Sequence, residues 1–200
     1  MRIDPLHAVV VALLLAVPAG AQEPREIRQL FEAGQFDQVV AAADAGGAPS
    51  VIYLAALSQQ KLGAPDRALD FARRLTELPE DSAWRFIGES VVDLLEGRID
   101  PALAAARRGV ELDGRLAEAH LQLGLVLARR EAWKEAAAAF DRAAELDPSY
   151  AYAYYYAGLM HYRGGRPDLM ANRFERFLKL APDAPERPEV LQTMRAIRGR

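Results

Sequence analysis

Ala117–Pro148, AEAHLQLGLVLARREAWKEAAAAFDRAAELDP, reads as two amphipathic helices joined by a short polar turn. In the first helix Leu123, Gly124 and Leu127 share one face. In the second, Ala136, Phe140 and Ala143 recur at four- and three-residue steps and fall on one stripe. Two facing helices approach closely only where side chains are small. Gly124, Ala136 and Ala143 are small, and Leu123 and Phe140 fill the space around them. Pro148 stops the second helix, because proline has no N–H donor and disfavours helix in the residue before it.

Moving this stretch by a fixed offset extends the reading to most of the chain. Adding 34 takes Gly124 to Gly158, Phe140 to Phe174 and Pro148 to Pro182. Subtracting 34 takes Gly124 to Ser90, Ala136 to Ala102 and Leu146 to Leu112; a second subtraction gives Ala56, Ala68 and Leu78. Windows starting at Pro49, Ala83, Ala117 and Ala151 therefore share one pattern. Self-similarity at a fixed period of helix-turn-helix size is the signature of a solenoid, whose units bury their apolar faces only by stacking. No stretch shows the alternation of a strand.

The chain resembles the tetratricopeptide repeat family, which has this 34-residue period. The family's small residue in helix one, alanine early in helix two, aromatic four residues later and closing proline match Gly124, Ala136, Phe140 and Pro148. The next repeat keeps Gly158, Phe174 and Pro182 but has Met170 for the alanine. The two earlier repeats depart further, with Ala72 and Ala106 at the aromatic position and Glu80 and Gly114 at the proline position. The resemblance implies an all-α, right-handed α-solenoid of antiparallel helix hairpins. Four repeats are expected at 49–82, 83–116, 117–150 and 151–184, after a shortened hairpin at 22–48 with its turn at Gly34. A capping helix is expected within 185–200, since a solenoid's last repeat otherwise exposes an apolar face. Met170 and Phe177, larger than their counterparts Ala136 and Ala143, are expected to pack against that cap.

The chain ends and composition narrow the function. Residues 1–21 read as a secretory signal: Arg2 supplies positive charge, Ala8 to Val17 is an unbroken apolar run, and Ala19 and Ala21 give the small-x-small form that signal peptidases accept. A ten-residue helix rises about 15 Å against a bilayer core of about 30 Å, so this run is too short to span. The expectation is an exported protein beginning near Gln22, periplasmic or secreted, with no stable membrane insertion after cleavage. The 200 residues contain no cysteine, which removes disulfides, thiolate nucleophiles and thiolate metal sites. A net charge of -3 argues against a nucleic-acid surface.

The family resemblance implies that first helices line a concave groove, with their second, fifth, ninth and twelfth positions facing it. The groove residues on that basis are Tyr53, Leu57, Trp84, Ile87, Val91, Leu121, Tyr152, Tyr155, Leu159 and Tyr162, with Arg129 and Arg163 at the edge. Such an apolar, aromatic surface fits a partner protein or peptide, and equally fits packing between neighbouring repeats. Leucine and valine at the ninth position cannot bond a peptide carboxylate, so an amphipathic helix or apolar segment is the expected ligand. His120 and His161 sit at non-equivalent repeat positions, so no metal site is expected, and no cofactor motif is present. Asp93 shares its repeat position with Gln59, Leu127 and His161, which suggests a helix edge reaching water. No phosphate loop or hydrolase serine motif occurs. The reading is a non-catalytic protein-interaction scaffold. The alternatives are a self-associating structural subunit and an accessory factor in cell-wall or polysaccharide processing.

Overall fold

The computed structural model describes residues 23–198; the signal-like segment, with Ala19 and Ala21, lies outside the described residues. Among the described residues the chain forms eleven α-helices and no strand. They are α1 (Pro24–Glu32), α2 (Phe36–Asp44), α3 (Pro49–Lys61), α4 (Pro65–Thr76), α5 (Ala83–Leu95), α6 (Ile99–Leu112), α7 (Ala117–Arg129), α8 (Trp133–Leu146), α9 (Ala151–Arg163), α10 (Pro167–Leu180) and α11 (Arg187–Arg198). Each helix packs on the next, and α5 also packs on α7, the arrangement of a solenoid whose first helices share the inner side.

The hairpin turns share one device. At Gly34, Gly63, Gly97 and Gly165 the backbone is left-handed, with φ between 72° and 78°. The residue after each glycine donates its N–H back to the helix, as in Ala64 to Gln59 and Arg98 to Asp93. This is a helix end of the Schellman kind, and glycine meets its φ without steric cost. The third hairpin makes the same turn with Glu131 at φ 59°, and Ala132 donates to Leu127.

Packing inside each repeat follows the sizes at two positions. A Cβ on Gly124 would lie 2.6 Å from the Phe140 ring, and one on Gly158 would lie 2.6 Å from the Phe174 ring. Glycine there makes room for the aromatic. Where the aromatic is replaced by Ala72 or Ala106, the small position holds Ala56 or Ser90, and all four are buried. Ala136 is likewise buried, whereas Pro148 and Pro182 are exposed helix stops.

The eleventh position of the first helices lies at the border between core and solvent. Gln59 is buried, His161 donates or accepts at 2.9 Å with Asp141, and Asp93 pairs with Arg98. Pairing satisfies the two charged or ionisable groups of this partly covered position. At the C-terminal end Met170 and Phe177 are fully buried, and Val190 and Met194 of α11 join the same core.

Candidate functional site: a groove closed at one end

The inner side of the solenoid divides into two halves. In the first half the chain fills its own groove. α1 buries Ile27 and Phe31, and Phe31 meets the Tyr152 ring with centroids 5.0 Å apart. Arg28 pairs with Asp147 at 2.6 Å, donates to Ser149 at 3.2 Å and lies over the Tyr150 ring at 4.7 Å. The N–H of Ala151 donates to Glu32 at 2.9 Å, which places a carboxylate at the start of α9, where exposed N–H groups favour negative charge. Gly34 lies so close to Pro185 that a Cβ would fall 2.8 Å from its Cγ. Glu186 accepts from both Lys61 and the Tyr152 hydroxyl, the latter at 2.6 Å.

These contacts join the N-terminal hairpin and α3 to the start of the fourth repeat and the loop beyond α10. Deeper in, the Tyr53 hydroxyl donates to Gln122 at 3.1 Å, and the Gln122 amide donates to Ser90 at 3.0 Å. This buried chain ties α3, α5 and α7 together.

Burial shifts the charges in this seam. It pushes the Glu32 carboxyl up to about 7, against the pull of the Ala151 N–H and Arg28. It also raises Glu118. Burial acts upward on Asp147 too, but the hydrogen bonds from Ser149 and the charge of Arg28 outweigh it and hold that group below its ordinary value.

This closure corrects part of the expected groove. Tyr53, Ile87, Leu121 and Tyr152 are at most 1% exposed, so they pack the interior and present no surface to a partner. Trp84, half-buried, lies beside Tyr53 with ring centroids 6.1 Å apart.

The second half, built by the later turns of the first helices, remains open. A cavity of 610 Å³ is floored by Leu57, Val91, Leu125 and Leu159 and backed by Phe140 and Tyr156. Lys61, Arg129 and Arg163 line its edge. A smaller cavity of 350 Å³ lies where α11 approaches α9, lined by Tyr155, Leu159, Tyr162 and Val190. The structure thus brings Leu57, Val91 and Leu159 together in the large cavity and Tyr155 and Tyr162 in the small one. Trp133 and Lys61 belong to the large cavity without having been expected there. Lys61 had a readable signal, because it stands two repeat lengths before Arg129. Among the described residues no group of three or more His, Cys, Asp or Glu could hold a metal ion, and no helix is long and apolar enough to cross a membrane.

Residues 117–150 and 152–184 each match a tetratricopeptide repeat family model. The chain belongs to the tetratricopeptide repeat family. Among solved structures it is similar to TTC0263, a thermophilic tetratricopeptide repeat protein of Thermus thermophilus, at 21% identity and a TM-score of 0.61; the alignment covers 86% of this chain and 96% of that one. It is similar to YrrB, described as having an unusual peptide-binding site, at 20% identity and a TM-score of 0.50, over 89% of this chain and 92% of that one. MamA is similar at 20% identity and a TM-score of 0.50, over 78% of this chain and 89% of that one. These likenesses establish the fold. No curated protein matches the chain. Tetratricopeptide repeats act as scaffolds for protein and peptide binding.

Proposed function

We propose that this tetratricopeptide repeat protein is a non-catalytic interaction scaffold that holds a segment of another protein in the open half of its groove. The observation that carries the reading is the 610 Å³ cavity with its leucine and valine floor, on the inner side of the solenoid. That volume lies in the range of pockets that bury most of a small ligand, so it suits a few side chains. A through-running helix does not fit, because the far end of the groove is filled by α1 and the Tyr53–Gln122–Ser90 chain. The signal-like residues 1–21 support an exported, periplasmic or secreted, place of work.

A photo-crosslinking residue at Leu125, on the cavity floor, tests the site against one at Ala138, exposed on α8. In the native host the Leu125 probe is expected to give discrete adducts with another protein and the Ala138 probe none. Equal labelling from both positions would remove the groove assignment. Export is tested separately, by N-terminal sequencing of the protein from an envelope fraction, where Gln22 should be the first residue. A chain still starting at Met1 would contradict it.

A further inference from the structure

The wall of the open cavity is one-sided in charge. Lys61, Arg129 and Arg163 line it and no aspartate or glutamate does, although acidic residues outnumber basic ones in the chain as a whole. The three cations occupy the last position of α3, α7 and α9, spaced by repeat lengths; Leu95 holds that place in α5. A cation suits a helix C-terminus through the dipole. That accounts for where each sits along its helix but not for the lack of anions around them.

Two of the three keep charge to spare. Lys61 is shared with Glu186 of the seam, and Arg163 lies over the Trp133 ring at 5.0 Å. Arg129 is exposed at the end of α7, and no ion pair is recorded for it among the described residues. Beneath this rim the floor is apolar, and the stacked rings of Phe140 and Tyr156, 5.2 Å apart, stand at its back.

The geometry points to an acidic peptide segment with apolar anchors as the ligand of the open groove. Its leucine-like side chains enter the floor at Leu57, Val91, Leu125 and Leu159. Its aspartates or glutamates meet Arg129 and Arg163 at the mouth. This rests on the protein-binding reading above and adds the chemistry of the partner. Paired burial and charge of this kind steer association and fix register, and the rim part of it is sensitive to salt.

Two fluorescein-labelled synthetic peptides of about twelve residues test it, one built of leucine and glutamate, the other with lysine in place of every glutamate. Each is titrated with the full chain and followed by anisotropy. The glutamate peptide is expected to bind and the lysine peptide not. Raising salt from about 50 to about 500 mM, which shortens the screening length well below 10 Å, is expected to weaken the glutamate peptide at least tenfold. The double variant Arg129→Glu/Arg163→Glu, at exposed helix ends, is expected to keep its helicity and melting temperature. It should lose the glutamate peptide at least tenfold and gain the lysine peptide.

Equal binding of both peptides, or binding of the glutamate peptide that ignores salt and charge reversal, would overturn the proposal. If neither peptide binds while Leu125 crosslinks a protein in cells, the charge class is wrong and the scaffold reading stands. If Leu125 also gives no adduct, both fall. Displacement of the peptide by dodecanoate with the same dependence on Arg129 and Arg163 would assign the cavity to a small amphiphile. A dimer that dissociates on charge reversal would assign it to a second copy of this chain. Either result overturns the peptide assignment.

Discussion

Leu121 and Leu125 stand one turn apart on α7, on the same inner face of the solenoid, and have different fates. Leu121 is sealed in the core at 1% exposure, whereas Leu125 faces a cavity. The same division runs through the other first helices. Tyr152 is interior and Leu159 lines open space; Ile87 is interior and Val91 lies on the cavity floor. Equivalent repeat positions therefore do not guarantee equivalent roles. What separates the halves is a contact that the repeat pattern does not contain, the return of α1 onto the start of α9.

The largest effect expected from this contrast is on stability. Leu121→Ala should cost about 2–5 kcal/mol, the usual range for emptying a packed site, and Leu125→Ala at most about 1 kcal/mol. Urea denaturation of the two variants measures both, and equal midpoints would erase the distinction between a sealed and an open half.

The second effect is on pH dependence, and it belongs to the closed half alone. Glu32 holds its proton up to about pH 7 when folded, against about 4.5 when free. In the interval between, the folded state binds more protons than the unfolded one, so stability is fully present below the lower value and falls as pH rises through the upper one. The loss is on the order of 3 kcal/mol across that interval. Glu118, also raised by burial, acts in the same direction, and Asp147, held below its ordinary value, acts oppositely and only in more acidic solution. Thermal melts at pH 5 and pH 8 should show the decline in the native chain and a much flatter profile in Glu32→Gln. An identical decline in that variant would show that the seam is not its source.

The smallest effect concerns the turn after α7, which lies at the open end. Glu131→Gly should stabilise by about 1 kcal/mol, because an L side chain at positive φ carries a steric cost that glycine avoids. The pH profile should be unchanged, since the site is remote from Glu32 in the seam. A destabilised Glu131→Gly would mean that the glutamate side chain contributes more than its backbone strain removes.

The repeat architecture was legible because its causes are local and recur. Gly124 with Phe140, Gly158 with Phe174 and the turn glycines each act within one hairpin, and the offset of 34 repeats them. The burial of Met170 and Phe177 was legible for the same reason, since each breaks a size pattern set by its neighbours. The closed half was not legible. Arg28 with Asp147 and Glu32 with Ala151 join residues 119 apart, and nothing in the sequence near either partner announces the other. Tyr53 and Tyr152 read as ligand-facing aromatics because they carry the family's groove positions. Tyr152 is covered by Phe31 of α1 and bonded to Glu186, and Tyr53 is bonded to Gln122 of α7, all of which lie outside those positions. At the position of Asp93, Gln59 and His161 the polarity marked a helix edge but not the partners: Arg98 for Asp93 and Asp141 for His161 lie on the neighbouring turn and helix.

An open solenoid can gain or lose a unit with little consequence, since each unit answers only to the ones beside it. The clasp from Arg28 and Glu32 to Asp147 and Ala151 removes that freedom. A further repeat spliced between α6 and α7 would carry the fourth one out of reach of α1 and leave Glu32 with no helix start to hold. The number of hairpins between α1 and α9 is thus a fixed count, set by the distance at which the coil meets its own beginning.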